Sequence, residues 1–231
     1  MSTTYNDALE RLKEERCRLS MSQKEMGQCV RMTQSNYSEV ELGVRRLSYH
    51  ELKYLCESEA DMHYIFTGIH GNNQYTEFFG ECSYAELLYY LRMIYAIVTF
   101  GREKEGTECW STIFDRVQYV PWLEEGLQTK SILVALRRKM DWQQQNMAEK
   151  LGVDINKLHD LENERSLPDS ELLWRLYDMF HIPPAVMLKD KKGLASEVAS
   201  LVEVSGDREW QSYLWDDRRA ARDIELRHMG V

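Results

Sequence analysis

Two stretches of this 231-residue chain concentrate side chains that can make paired hydrogen bonds. The first holds Gln34, Ser35, Asn36 and Ser38, preceded by Gln23 and followed by Arg45 and Arg46. The second holds Asn156, Lys157, His159 and Asn163, preceded by Gln144 and followed by Arg165. An Asn or Gln amide presents a donor beside an acceptor, which matches the N6 and N7 edge of adenine. This is the chemistry of recognition rather than of bond making. Motifs for catalysis are absent from the sequence: it has no GxSxG, no phosphate loop, no dinucleotide glycine pattern and no His/Asp/Glu cluster at metal spacing. The six histidines are scattered. The five cysteines lie no closer than twelve positions, without a CxxC, and read as reduced packing residues. The expectation is a binding protein with no catalytic residues, no metal and no cofactor.

Composition sets the surroundings. Apolar residues make up 43% and charged residues 29%, the mix of an ordinary globular chain, and only four prolines argues for helices. The longest apolar run, Leu87 to Phe100, is interrupted by Arg92, so no bilayer span is expected. The N-terminal residues show no basic stretch followed by an apolar one, so the reading places the chain in the cytoplasm. The net charge of −9 counts against a nucleic-acid partner, although a local basic patch can act on an acidic protein.

The elements that position the polar stretches come from an internal repeat. MSQKEMGQCVRMTQSNYSEVELG, Met21 to Gly43, lines up without gaps on WQQQNMAEKLGVDINKLHDLENE, Trp142 to Glu164, at a constant offset of 121. Met26 meets Met147, Val30 meets Leu151, Tyr37 meets Leu158 and Glu41 meets Glu162. Upstream, Leu9 and Leu12 match Leu133 and Leu136 only with three extra residues in the first copy. Apolar spacings of three and four describe two short helices joined by a tight turn, each with one buried stripe. Such a pair shares a core at a steep angle and leaves the polar face of the second helix outward. Ser22 with Glu25, Thr33, Asp154, Ser48 with Glu51, and Asp169 after Pro168 supply helix starts. Each copy reads as five helices, near 7–17, 23–30, 34–42, 49–57 and 62–66, and near 131–140, 144–151, 155–163, 170–180 and 184–188.

The patterns SQxEMxxxVxMTQSNYSxVExG and QQxMAxKLGVxxxKLxxLENERSLP resemble the helix-turn-helix of the phage Cro/repressor (XRE) family. The resemblance covers about 120 residues. The second copy keeps the turn glycine, Gly152; the first departs from it with Arg31, which makes its turn geometry a point to test. In that family the second helix of the motif lies in the major groove. The resemblance therefore implies base-reading roles for Gln34, Ser35, Asn36 and Ser38, and for Asn156, Lys157, His159 and Asn163. It implies phosphate contacts for Gln23, Gln144, Arg45, Arg46 and Arg165.

The copies are unequal. From Met21 to Arg46 four basic side chains face three acidic ones; from Trp142 to Leu167 three face five. Ile155 at the first reading position suits a thymine methyl or a protein, and Asp160 would repel phosphate. The second copy is therefore also a candidate for a protein partner.

Outside the copies, 69–81 reads as a loop, 83–100 as a helix apolar on most faces, 107–118 as a shorter helix and 193–204 as another. Residues 207–228 carry a stripe of Trp210, Tyr213, Leu214 and Ile224. The expected fold is all-α: helix-turn-helix domain one at 1–70, a helical connecting or dimerisation region at 71–128, domain two at 129–190, and a C-terminal helical extension at 191–231. A homodimer would form through 83–100 or 207–228. The leading functional expectation is a transcriptional regulator, a repressor of bacterial or phage origin, on double-stranded DNA. The rival is a protein-interaction module of a mobile element, such as an antirepressor, antitoxin or anti-CRISPR-type inhibitor.

Overall fold

The computed structural model describes residues 4–71, 73–101, 108–123 and 131–205, and its regular elements there are α-helices. A first set of five comprises α1 (Tyr5–Arg18), α2 (Gln23–Cys29), α3 (Gln34–Glu41), α4 (Tyr49–Glu57) and α5 (Met62–Thr67). Connecting helices follow, α6 (Thr76–Glu81), α7 (Tyr84–Gly101) and α8 (Glu108–Val117), and the backbone is helical again over 120–123. The second set comprises α9 (Ile132–Lys139), α10 (Gln144–Leu151), α11 (Ile155–Glu162), α12 (Ser170–Phe180) and α13 (Pro184–Leu188). The last described helix is α14 (Lys191–Ser205). Among the described residues no helix is long and apolar enough to cross a membrane.

Short polar side chains start these helices. Ser22 with Glu25 closes a capping box on α2, and Ser48 with Glu51 closes one on α4. Thr33, Asp154 and Asp169 each accept from the backbone N–H of the third helical residue, on α3, α11 and α12. Each cap satisfies a donor that the helix end leaves open, worth about 1 kcal/mol.

The repeat is written in the backbone. Left-handed φ values recur at the offset of 121: 56° at Ser20 and 52° at Asp141, 58° at Arg31 and 62° at Gly152. They recur again as 74° at Gly43 and 57° at Glu164, and as 75° at Gly68 and 49° at Lys189. A non-glycine at such a position costs about 1 kcal/mol, so the packing around these turns, not local preference, holds them. The Arg31 turn thus has the same hand as the Gly152 turn. Its guanidinium lies over the Tyr54 ring, 4.1 Å from the centroid.

The offset also continues upstream without the expected three-residue insertion. α1 and α9 end at Arg18 and Lys139, and Leu12 and Leu133 are both buried. The match of Leu9 and Leu12 to Leu133 and Leu136 is replaced by the ungapped match of Leu12 to Leu133. Glu15 then stands opposite Leu136, and this break in the apolar pattern is what shifted the sequence alignment. Glu15 is buried because Arg18 and the Asp61 N–H bond its carboxylate.

The two sets pack on each other. The fourth helix of each meets the fifth of the other, α4 on α13 and α12 on α5, and α5 also meets α13. Leu173 and Leu188 join the apolar core of the first set, with Leu52, Leu55 and Met62. Removing such a side chain from water contributes about 1.5–3 kcal/mol. Ser170 stitches the joint: its Oγ accepts from the Leu47 N–H at 3.0 Å and lies 2.6 Å from the Tyr5 hydroxyl. Its own N–H donates to the Leu47 carbonyl at 2.9 Å. Lys53 Nζ donates to the Leu188 carbonyl at 2.9 Å.

The connecting helices complete a second core. The α7 stripe of Leu87, Leu91, Ile94 and Val98 is fully buried within the chain, where α7 packs on α8 and α14. The expected loop at 69–81 contains α6, because Phe78 and Phe79 pack edge-on against Tyr90 and α14 lies along that helix. α14 is central rather than an appendage, touching α5, α6, α7, α8 and α13. The expected helix at 207–228 lies outside the described residues.

Candidate nucleic-acid interface

In each set one arginine, one glutamate and one glutamine lock the first three helices together. Arg16 Nε donates to Glu41 Oε1 at 2.6 Å, and Arg137 Nε donates to Glu162 Oε1 at 2.6 Å. Gln23 Nε2 donates to Glu41 Oε2 at 2.8 Å, and Gln144 Nε2 to Glu162 Oε2 at 2.7 Å. Arg16 also reaches the Met21 carbonyl, and Arg137 the Trp142 carbonyl. All of these residues are related by the offset of 121. The clamp ties α1, α2 and the end of α3 through a buried carboxylate that accepts three hydrogen bonds, two from the arginine and one from the glutamine, which fixes the angle between α2 and α3. Arg16 and Arg137 are positioning residues that sequence reasoning missed. Their signal was present as an Arg at the same distance before Glu41 and before Glu162.

With that angle fixed, the buried side of α3 is Tyr37 and Val40, and that of α11 is Leu158 and Leu161. The opposite faces point out. Gln34 and Ser35 are exposed, while Asn36 and Ser38 are half-buried at the edge of the same face. On α11, Ile155, Asn156 and His159 are exposed and Lys157 is half-buried. Asn163 bonds back to the His159 carbonyl at 2.8 Å, and Arg165 is exposed in the following turn. The structure thus groups Gln34, Ser35, Asn36 and Ser38 on one face. It groups Asn156, Lys157, His159 and Asn163 on another.

The residues assigned to phosphate are placed differently. Gln23 and Gln144 spend their amide N–H on the buried glutamates. Arg45 pairs with Glu51 at 2.7 Å. Arg46 pairs with Glu171 and lies 3.9 Å from Asp169, so it bridges the two sets. Phosphate contact by either arginine therefore competes with a carboxylate. Lys24 and Arg31 are exposed near α3. The turn after α3 also exposes two apolar side chains, Leu42 at 74% and Val44 at 75%.

The helix starts reverse part of the charge asymmetry. The α2 N-terminus is occupied by the Ser22 and Glu25 box, whose carboxylate would repel phosphate. The N-cap of α10 is Gln143, whose side chain makes no cap bond among the described residues. The helix's open N–H groups and positive dipole end favour an anion.

Away from both faces lies a buried polar cluster that no motif announced. Glu197 accepts from Arg116 at 3.0 Å, and Arg116 also bonds the Ser200 hydroxyl at 2.6 Å. His63 Nδ1 lies 3.4 Å from the other Glu197 oxygen. His63 Nε2 and the Tyr119 hydroxyl are buried without hydrogen-bond partners among the described residues. Burial pushes the His63 ring below the usual histidine range, against the pull of Glu197 and with the help of Arg116. The described residues hold no group of His, Cys, Asp and Glu arranged for a metal ion.

No family model, curated protein or solved structure matches this chain.

Proposed function

We propose that the chain is a DNA-binding transcriptional regulator whose two helix-turn-helix heads form a covalent pseudo-dimer. The observation that carries the reading is the clamp of Arg16, Glu41 and Gln23, repeated in Arg137, Glu162 and Gln144. It sets the α2–α3 and α10–α11 pairs at one repeated geometry and turns amide-rich faces outward. The reciprocal packing of fourth and fifth helices supports two heads acting as a unit. Gln34 and Asn36 would read adenine edges, and Asn156, Lys157 and His159 a different half-site. Such a repressor would work beside DNA in the cytoplasm of a bacterium or a phage-infected cell.

A second reading has its own support. The exposed Leu42, Val44 and Ile155, and the ion-paired Arg45 and Arg46, suit a protein surface. A mobile-element inhibitor, antirepressor or antitoxin would use them so.

Electrophoretic retention of the DNA upstream of its own gene separates the two. The DNA reading expects specific retention, with log K falling linearly in log salt. No retention at low salt would overturn it.

A further inference from the structure

The turn inside each helix-turn-helix pair is backed by a cation, but the cation comes from a different place in each set. In the first set Arg31 stands in the turn itself and lays its guanidinium over Tyr54 of α4. In the second set the residues 121 positions on are Gly152 and Arg175, so the cation comes from α12 instead. Arg175 Nη1 donates to the Leu151 carbonyl at 2.5 Å and fills the space that a Cβ at Gly152 would need. One turn carries its own cation and the other borrows one.

The borrowed cation has a second attachment. Arg175 Nη2 donates to Oε1 of Glu171, one turn earlier on α12. The other oxygen of Glu171 is taken by Arg46 Nη2, from the segment that follows α3 in the first set. One carboxylate is thus shared by two guanidinium groups, one from each set, and its side chain is only 17% exposed. The path runs from the end of α3 through Arg46, Glu171 and Arg175 to the turn that leads into α11.

No mirror path runs the other way. The positions matching Arg46, Glu171 and Arg175 are Leu167, His50 and Tyr54. Leu167 has no charge to offer His50, and Arg31 holds the first turn from within its own set. The relay is single and points from the first set to the second.

We propose that Arg46 is a positioning residue for the second head: by pinning Glu171 it orients Arg175 against the Leu151 carbonyl and steadies the turn that sets α11. A carboxylate held at both oxygens keeps one rotamer; released at one, it samples others, and Arg175 moves with it. An anion that draws Arg46 off Glu171 therefore loosens the turn of the other set. Only the identity of that anion as a DNA phosphate rests on the proposed regulator function.

The test is amide hydrogen exchange of the full chain without DNA, read by NMR at Gly152 and Val153. Their N–H groups donate to the Glu149 and Ala148 carbonyls, at 3.2 and 3.0 Å, and exchange when the turn opens. Arg46→Ala should speed both about two- to fivefold, the range for a part-exposed ion pair. The equivalent amides of the first turn, Arg31 and Met32, should keep their rates. Arg175→Met removes the bond to the Leu151 carbonyl and should speed Gly152 and Val153 about tenfold. Adding Arg46→Ala to Arg175→Met should then change nothing more. Unchanged rates at Gly152 and Val153 in Arg46→Ala would overturn the proposal. So would equal acceleration at Arg31 and Met32, which marks general destabilisation, or an additive effect in the double variant. Glu171→Ala cuts the path at its middle and decides the question if Arg175→Met does not fold. It should speed Gly152 and Val153 at least as much as Arg46→Ala does, and wild-type rates would overturn the proposal.

Discussion

Arg16 holds Glu41 with two nitrogens, Nε at 2.6 Å and Nη2 at 3.3 Å, and Arg137 holds Glu162 at the same two distances. The glutamate side chains are each 4% exposed, so neither carboxylate has a ready substitute partner in water. Removing one member of such a pair leaves the other charged and desolvated, whereas removing both is far milder. The part-exposed arginines lower the expected cost below that of a fully buried pair.

Glu41→Ala should therefore destabilise the chain by about 2–3 kcal/mol in urea unfolding, and Glu162→Ala by a similar amount. Arg16→Met with Glu41→Leu should recover most of the loss. A change under about 0.5 kcal/mol would mean that the clamp does not hold the helix angle.

The left-handed turns give predictions of unequal size. A Cβ at Gly152 would overlap Nη1 of Arg175, which donates to the Leu151 carbonyl at 2.5 Å. Gly152→Ala should cost about 1–2 kcal/mol, from backbone strain and that displaced bond. Arg31→Gly relieves about 1 kcal/mol of strain but loosens the unfolded chain and loses the contact with Tyr54. Its thermal unfolding should show between no change and about 1 kcal/mol of destabilisation.

Much of this local structure was legible in the sequence, because it depends on neighbours. Ser22 with Glu25 and Thr33 place helix starts within one residue, since a cap needs only the next turn. The α3 and α11 faces followed from the spacing of Tyr37 with Val40 and of Leu158 with Leu161. The rest depends on distant partners. Phe78 and Phe79 make a helix only against Tyr90 and α14. Ser170 looks like an ordinary first helical residue until Leu47 and Tyr5 arrive from the other set. Glu15 breaks the apolar register and so masks the equivalence of Arg16 and Arg137, which only their equal spacing to Glu41 and Glu162 carries.

Arg46 separates stability from binding. Its side chain is 56% exposed, so its pairs with Glu171 and Asp169 contribute little. Arg46→Ala should change unfolding free energy by less than about 1 kcal/mol. If it touches phosphate, the same variant lowers the salt slope of DNA binding by about one. An unchanged slope would confine Arg46 to the joint between the sets.

His63 makes stability depend on pH. Burial lowers its folded pKa below the unfolded value of about 6.5, so folding favours the neutral ring. That stabilisation is fully present above about pH 6.5 and is lost as the pH falls towards the lowered folded value. Unfolding free energy should therefore drop on acidification below about pH 6.5, at up to about 1.4 kcal/mol per pH unit from this group. His63→Gln should flatten that limb; an identical slope in the variant would assign it elsewhere.

The central claim is that two unlike heads in one chain read DNA together. Hydroxyl-radical footprinting on a retained fragment tests it most directly. The account predicts two protected patches on one face of the duplex, about 34 Å or a multiple apart, with different half-site sequences. Substituting Gln34 and Asn36 by alanine should fade one patch, and substituting Asn156 and His159 the other. A single patch lost with the first pair of substitutions and indifferent to the second, or no patch at all, would contradict it.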